Sequence, residues 1–257
     1  MKSIEEYNID LNNELIKRAF THSSYVNETK KGEDYERLEF LGDKVLDFLV
    51  SEYLYVNEHL HEGEMTKLRA NYVCENALYE YSKELGLNNY LRLGKGEEAS
   101  GGRDRKAVVA DIFEAFLAAT YLTYGLEKAK EIVYDVVIKA IENNENYRNG
   151  YKIIMNNYQI LNGSNLAYVG DAYFELRVRV HLLEKGITKN AQLRKVSIKY
   201  VSAYAHQYIF ENLKKYLTID EMQYFLRGRN NAPHGYRKNV DHTAYIVSTG
   251  LEAVIGY

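Results

Sequence analysis

Tryptophan is missing from this chain of 257 residues, which holds one cysteine, Cys74, and one proline, Pro233. A single cysteine excludes an internal disulfide framework and suits a reducing compartment, so a cytoplasmic protein is expected. With one proline, and with Leu, Ala, Glu and Lys recurring at helical spacing, an all-α fold is favoured. The opening segment MKSIEEYNIDLNNELIKR lacks the apolar core of a signal peptide. No apolar run approaches the length of a membrane span, so no membrane is expected among the partners.

What is present is enough for a sizeable core, since 46% of the residues are hydrophobic. Charge is divided unevenly. Residues 1–149 hold 19 Lys+Arg and 28 Asp+Glu, a net of −9, and residues 150–257 hold 14 and 8, a net of +6. A basic second half suits a polyanion or the acidic first half equally.

The spacing predicts a long helix from Tyr35 to about Tyr55. Leu38, Leu41, Val45 and Phe48 form its buried stripe, and Glu36, Glu39, Asp43 and Asp47 repeat on another face. Gly42 sits inside this helix, where it costs roughly 1 kcal/mol against alanine. It makes sense there if another backbone must come close. Glu64 to Gly86 reads as two helices, and GKGEEASGGRDRK (94–106) as a glycine-rich charged loop. Ala107 to Tyr124 is an amphipathic helix carrying Asp111 and Glu114, followed by a helix from Leu126 to Ile141. The polar stretch NNENYRNG (143–150) marks a domain boundary.

A fainter copy of this order follows. AYVGDAYFELRVRVHLL (167–183) corresponds to the first acidic helix, and NAQLRKVSIKYVSAYAHQYIFENL (190–213) to the KLRANYV region. RGRNNAPHGYRKN (227–239) replaces the charged loop, and TAYIVSTGLEAVIGY (243–257) the helix with Asp111. Four matches in one order indicate a duplicated fold.

Glu39 and Asp43, four apart, point the same way from one helix, and Asp111 and Glu114, three apart, do so from another. Two antiparallel helices facing each other would gather four carboxylates. With no Cys or His among them, such a set prefers Mg²⁺ or Mn²⁺ to zinc. Ions held there can activate water and stabilise a leaving oxygen at phosphorus. An acidic i,i+3 pair taken alone is more often a solvated helix face; the complete set argues for a site. His59 and His61 have no companions at metal-ligand spacing. Most of the 25 tyrosines are expected in core and rim positions.

ERLEFLGD (36–43) resembles the signature of the ribonuclease III domain. THSSY (21–25), GEMTKLRA (63–70), LGKGEEASGGRDR (93–105) and DIFEAFLAATYL (111–122) resemble further blocks of that family in the same order. The resemblance implies a helical endonuclease that cuts double-stranded RNA with Mg²⁺, leaving 5′-phosphates and 3′-hydroxyls. It implies Glu39, Asp43, Asp111 and Glu114 as metal-binding acids, with Asp43 and Glu114 catalytic and Glu36 a nearby acid.

The second half shows none of the alternating strands of a double-stranded-RNA-binding domain. LNGSNLAYVGDAYFELRVRVHLL (161–183), RGRN (227–230) and KNVDHTAYIVSTGLEAVIGY (238–257) resemble Mini-III, a compact ribonuclease III relative associated with maturation of large ribosomal RNA. By this match Asp171 stands for Asp43 and Glu252 for Glu114, as catalytic residues, while Ala167 replaces Glu39 and Thr249 replaces Asp111.

The expectation is therefore two tandem ribonuclease III-type domains, residues 1–147 and a Mini-III-like 151–257 apparently shortened at its C-terminus. The expected substrate is duplex RNA, with roles in ribosomal RNA processing and RNA maturation or decay. Lys95, Arg103, Arg105, Arg227 and Arg229, with Arg237 and Lys238, are candidates for RNA phosphates. Family domains work as dimers, so either an intramolecular pseudo-dimer or a homodimer is expected. In the alternative, the second domain is a non-catalytic RNA-binding or dimerisation partner.

Overall fold

The computed structural model describes residues 4–57, 60–143, 162–187, 189–232 and 241–257. The expected boundary at 143–150 lies almost wholly outside them, and His59, Arg237 and Lys238 do so entirely. By backbone proximity the chain forms two units, residues 1–50 with 67–150 and residues 51–66 with 151–257. The sequence division keeps 51–66 in the first domain, whereas in space they cluster with the second. Among the described residues there is no strand beyond one isolated parallel bridge, Thr21 to Arg92.

The first unit contains α1 (Glu14–Ala19), α2 (Ser23–Thr29), most of α3 (Glu36–Asn57) and the larger part of α4 (Glu62–Tyr72). It continues with α5 (Glu75–Glu84), α6 (Lys95–Ala99), α7 (Lys106–Tyr124), α8 (Leu126–Val133) and α9 (Lys139–Glu142). A π turn at Tyr134–Ile138 joins α8 to α9, so the single helix expected from Leu126 to Ile141 carries a local rewinding. At the start of α3, Asp34 Oδ1 accepts the otherwise unpaired Glu36 N–H at 3.2 Å. Leu38, Leu41, Val45 and Phe48 are all buried, as the spacing predicts.

The segment expected to be a glycine-rich loop is partly helical, with α6 and a 3-10 turn at Gly102–Asp104. The cause is a set of side chains that satisfy its backbone. Glu28 accepts from the Lys95 and Gly96 N–H groups at 2.9 and 3.3 Å, and Ser24 Oγ accepts from Gly94 N at 2.9 Å. The THSSY segment and the glycine-rich segment are therefore structural partners.

Helix α7 is long and apolar enough to cross a membrane by length and composition, contrary to the expectation from the sequence. Most of it is buried in this unit, from Val108 to Thr120, so it serves as a core helix.

The second unit contains α10 (Gly163–Glu184), α11 (Asn190–Val201), α12 (Ala203–Leu213), α13 (Ile219–Asn230) and α14 (His242–Gly256). Four of the five starts have a side-chain cap. Asn162 accepts from Asn165 N at 2.9 Å, Ser202 from Ala205 N at 3.3 Å, and Asp241 from Ala244 N at 3.1 Å. Thr218 and Glu221 form a reciprocal capping box. Helix α13 runs on through Arg227–Asn230, so Arg227 and Arg229 lie in a helical last turn and not in the expected loop. Phe210 and Phe225 stack at 3.7 Å between centroids, and Tyr55, Leu166, Ala167, Tyr224 and Ala253 form a buried cluster.

Candidate active site

In the first unit α3 and α7 meet backbone to backbone. A Cβ on Gly42 would lie 1.8 Å from the Glu114 carbonyl oxygen, so only glycine permits this crossing. Asp43 is the next residue on α3, and the apolar stripes of both helices turn inward beside it. The expected close approach at Gly42 is thus present, and its partner is the backbone of Glu114 itself.

The carboxyl of Glu114 records what surrounds it. Burial raises its pKa well above the usual carboxylate range, and the charges of Asp43, Glu39, Asp111 and Asp47 push it in the same direction. The acids on α3 and α7 therefore lie close enough to Glu114 for their charges to act on it. Tyr35 is buried, and its hydroxyl donates to Asp111 Oδ2 at 3.5 Å. Burial, then Asp111 and Glu39, hold the Tyr35 proton on.

Asp47 has a different environment from the other acids. Lys44 Nζ donates to its Oδ2 at 2.7 Å, and Arg69 Nε stands 3.8 Å from its Oδ1. Lys44 also lies 3.7 Å from Asp43 Oδ2. Lys44, Arg69 and Tyr35 are participants that the spacing argument missed. The GEMTKLRA block carries Arg69, and the residue just before ERLEFLGD is Tyr35, so both were adjacent to quoted motifs.

Among the described residues, no three His, Cys, Asp or Glu side chains form a ready-made metal cage. The donor chemistry nonetheless fits a hard cation. Mg²⁺ keeps several waters and is held by one or two carboxylates with substrate oxygens, more often than by a complete protein cage.

In the second unit the crossing is repeated. A Cβ on Gly170 would lie 1.8 Å from the Glu252 carbonyl oxygen, and Asp171 follows Gly170. Asp171 is exposed and Glu252 partly so. Ala167 and Thr249, in place of two acids, are both buried, and Thr249 Oγ1 donates to Tyr245 O at 3.2 Å. Glu252 Oε1 instead meets Ser248 Oγ at 2.8 Å and His206 Nδ1 at 3.2 Å.

The candidate phosphate contacts are not equivalent. Arg103 grips both oxygens of Glu98, at 2.8 and 2.6 Å, and donates to the carbonyls of Asn88 and Leu91 at 2.9 and 3.0 Å. It braces its own loop. Arg105 pairs with Glu97 and donates to Ser100 Oγ at 3.2 Å. The Lys95 side chain is exposed. Arg227 lies over the Tyr224 ring at 5.0 Å, and Arg229 Nε is 3.4 Å from Asn230 Oδ1.

Comparison with known proteins agrees with this repeat. Residues 12–141 match the family described as ribonuclease-III-like, and residues 164–257 match the ribonuclease III domain. Ribonuclease 3 of Oceanobacillus iheyensis is 56% identical over 122 residues, covering 46% of this chain and 54% of that protein. Ribonuclease 3 of Enterococcus faecalis is 52% identical over 131 residues, covering 50% and 57%. The matched stretch thus spans about half the length of these relatives. The nuclease domain of ribonuclease III from Campylobacter jejuni is 32% identical, covers 56% of this chain and all of that one, and superposes with a TM-score of 0.48. The chain belongs to the ribonuclease III family and carries two domains of that kind in tandem.

Proposed function

We propose that this protein is a Mg²⁺-dependent endoribonuclease that cleaves double-stranded RNA, and that its first site is built from Glu39, Asp43, Asp111 and Glu114. One observation carries the reading: the Gly42 crossing seats a buried Glu114 against the helix of Glu39 and Asp43, where their charges and that of Asp111 act on its carboxyl. Such an arrangement also repels a bare phosphate, so RNA can approach only once cations intervene. When bound, Mg²⁺ or Mn²⁺ would supply an activated water and neutralise charge on the leaving oxygen.

The chain's own groups prepare that chemistry. Gly42 lets the backbones of α3 and α7 touch, which brings the segments that carry Asp43 and Glu114 together. The Tyr35 hydroxyl donates to Asp111, and Lys44 and Arg69 compensate the charge of Asp47. The bond broken is phosphorus to the 3′ oxygen, which leaves a 3′-hydroxyl and a 5′-phosphate. The test is cleavage of long duplex RNA and of precursor ribosomal RNA with and without Mg²⁺, with end mapping. Cleavage by the Asp43→Asn and Glu114→Gln chain at the unmodified rate would overturn the proposal.

The second site is assigned to Asp171 and Glu252 on the repeated glycine crossing. The second reading makes this unit a non-catalytic RNA-binding or dimerisation partner, and the buried Ala167 and Thr249 favour it. Asp171→Asn decides between them. Selective loss of one product set supports two active sites, and an unchanged product pattern supports the binder. The C. jejuni nuclease domain is described as having a region involved in dimer formation. Pairing of domains, within one chain or between two, is carried over from it as part of this proposal, with ribosomal RNA precursors as the substrate class.

A further inference from the structure

The loss of two acids from the second site is accompanied by a gain. His206 on α12 is fully buried. Its Nδ1 is 2.8 Å from Ser248 Oγ and 3.2 Å from Glu252 Oε1, and Ser248 Oγ lies 2.8 Å from the same oxygen. Phe174 packs against the imidazole edge-on at 4.9 Å.

The corresponding positions in the first unit are apolar. His206 stands four residues beyond the helix cap Ser202, as Leu78 stands four beyond the cap Cys74. Ser248 precedes Thr249 as Ala110 precedes Asp111. Leu78 and Ala110 are both buried. A buried apolar pair in one unit is therefore a buried polar pair in the other, and that pair meets the acid.

The ring orientation narrows the chemistry. Among the described residues, His206 Nε2 is buried with no hydrogen-bond partner. A buried N–H without an acceptor is rarer and costlier than an unmet lone pair, which assigns the proton to Nδ1. The Nδ1–H then points at Ser248 and Glu252, and the Ser248 hydroxyl donates to Glu252. A serine nucleophile is excluded, because a nucleophilic triad uses both ring nitrogens, one for the serine and one for the acid. Here one nitrogen serves both, and the imidazole has no access to substrate.

We propose that His206 and Ser248 are positioning residues that hold the Glu252 carboxylate in a single orientation beside Asp171, so that two acids take a divalent cation where the first unit uses four. This rests on the assignment of the second site given above. Fixing a ligand by hydrogen bonds from behind offsets part of the loss of ligands, because less freedom is surrendered when the cation binds.

The test uses the full chain carrying Asp43→Asn and Glu114→Gln, which silence the first site. In that background His206→Leu with Ser248→Ala restores the first unit's apolar pair, and His206→Asn keeps an amide N–H near the place of Nδ1. Three quantities are read: the histidine ¹⁵N shifts, Mn²⁺ affinity by electron paramagnetic resonance, and single-turnover cleavage with RNA affinity. The expected result is an Nδ1–H tautomer for His206. The apolar pair should lose about tenfold or more in Mn²⁺ affinity, and cleavage should slow with it while RNA affinity holds. His206→Asn should recover most of the loss. An Nε2–H tautomer, or unchanged Mn²⁺ affinity in the apolar pair, would overturn the proposal. If the apolar pair does not fold, the tautomer and the His206→Asn affinity decide it. If Asp171→Asn leaves cleavage unchanged while Mn²⁺ affinity follows His206 as expected, the catalytic reading of the second unit falls and the positioning role stands.

Discussion

Gly42 on α3 lies directly against the backbone of Glu114 on α7, so close that a methyl group would overlap the Glu114 carbonyl oxygen at 1.8 Å. Gly170 and Glu252 repeat this relationship at the same distance in the second unit. In both places the residue after the glycine is an aspartate. Site geometry and helix packing are thus the same fact, because the crossing that buries the apolar stripes also presents an acid from each helix.

Replacing Gly42 by alanine should therefore damage stability and activity together. The neighbour is backbone, which cannot rotate aside, so the helices must separate. Overpacking of this kind costs about 1–3 kcal/mol or more, and the melting temperature should fall by about 2–4 °C for each kcal/mol. Duplex cleavage by the first site should drop at least as far as in Asp43→Asn. A variant melting like the parent would contradict the backbone contact.

Glu114→Gln should raise the stability of the cation-free protein at neutral pH. The folded pKa of Glu114 lies above its unfolded value because of burial and four acidic neighbours. A carboxyl shifted in this direction favours the fold fully below the unfolded pKa of about 4.3. That contribution is lost as pH rises from there through the folded value. Glutamine removes the penalty, which should add on the order of 1 kcal/mol in chelator. Mg²⁺ should raise the melting temperature of the parent chain more than that of the variant, by mass action. Scanning calorimetry from pH 4 to pH 8, with and without Mg²⁺, reads both effects.

Asp47 should behave unlike its neighbours on α3. Its carboxylate is bound to Lys44 and approached by Arg69, and only 9% of the residue is exposed. Asp47→Ala should cost about 1–3 kcal/mol by leaving two cations poorly compensated. Mn²⁺ affinity should change far less than in Asp43→Asn. Equal losses of affinity in the two variants would place Asp47 among the metal ligands.

Arg103 and Lys95 should separate stability from RNA affinity. Arg103→Ala strips donors from Glu98 and the carbonyls of Asn88 and Leu91, so amide exchange in residues 88–104 should accelerate. Lys95→Ala should leave exchange unchanged, weaken duplex RNA binding and lower the salt slope by about 1. A salt-independent affinity for the parent chain would remove phosphate contacts from the account.

Low-concentration sedimentation addresses domain pairing. A monomer that still cleaves duplex RNA supports pairing within one chain, for which the −9 and +6 division of charge is the motive. Cleavage that vanishes with dissociation supports pairing between chains.

Much of the helical order was legible because amphipathic spacing is a local property. The stripe Leu38, Leu41, Val45 and Phe48 announced α3, and Asp111 with Glu114 announced the polar side of α7. The helical content of residues 94–106 was hidden, because its donors find Ser24 and Glu28 about seventy positions away. The π turn at Tyr134–Ile138 was hidden for a related reason, since its residues continue an unbroken apolar period.

The sequence by itself determined most of the helices, their repetition and the glycine at 42 that admits a touching backbone, since periodicity and steric size belong to each residue and its near neighbours. Tertiary structure alone decided which charges have company. It assigned Lys44 and Arg69 to Asp47, consumed Arg103 inside its own loop, and aimed a buried imidazole and hydroxyl at Glu252. Electrostatic environment depends on distances between residues far apart in the chain, and no local pattern encodes those distances.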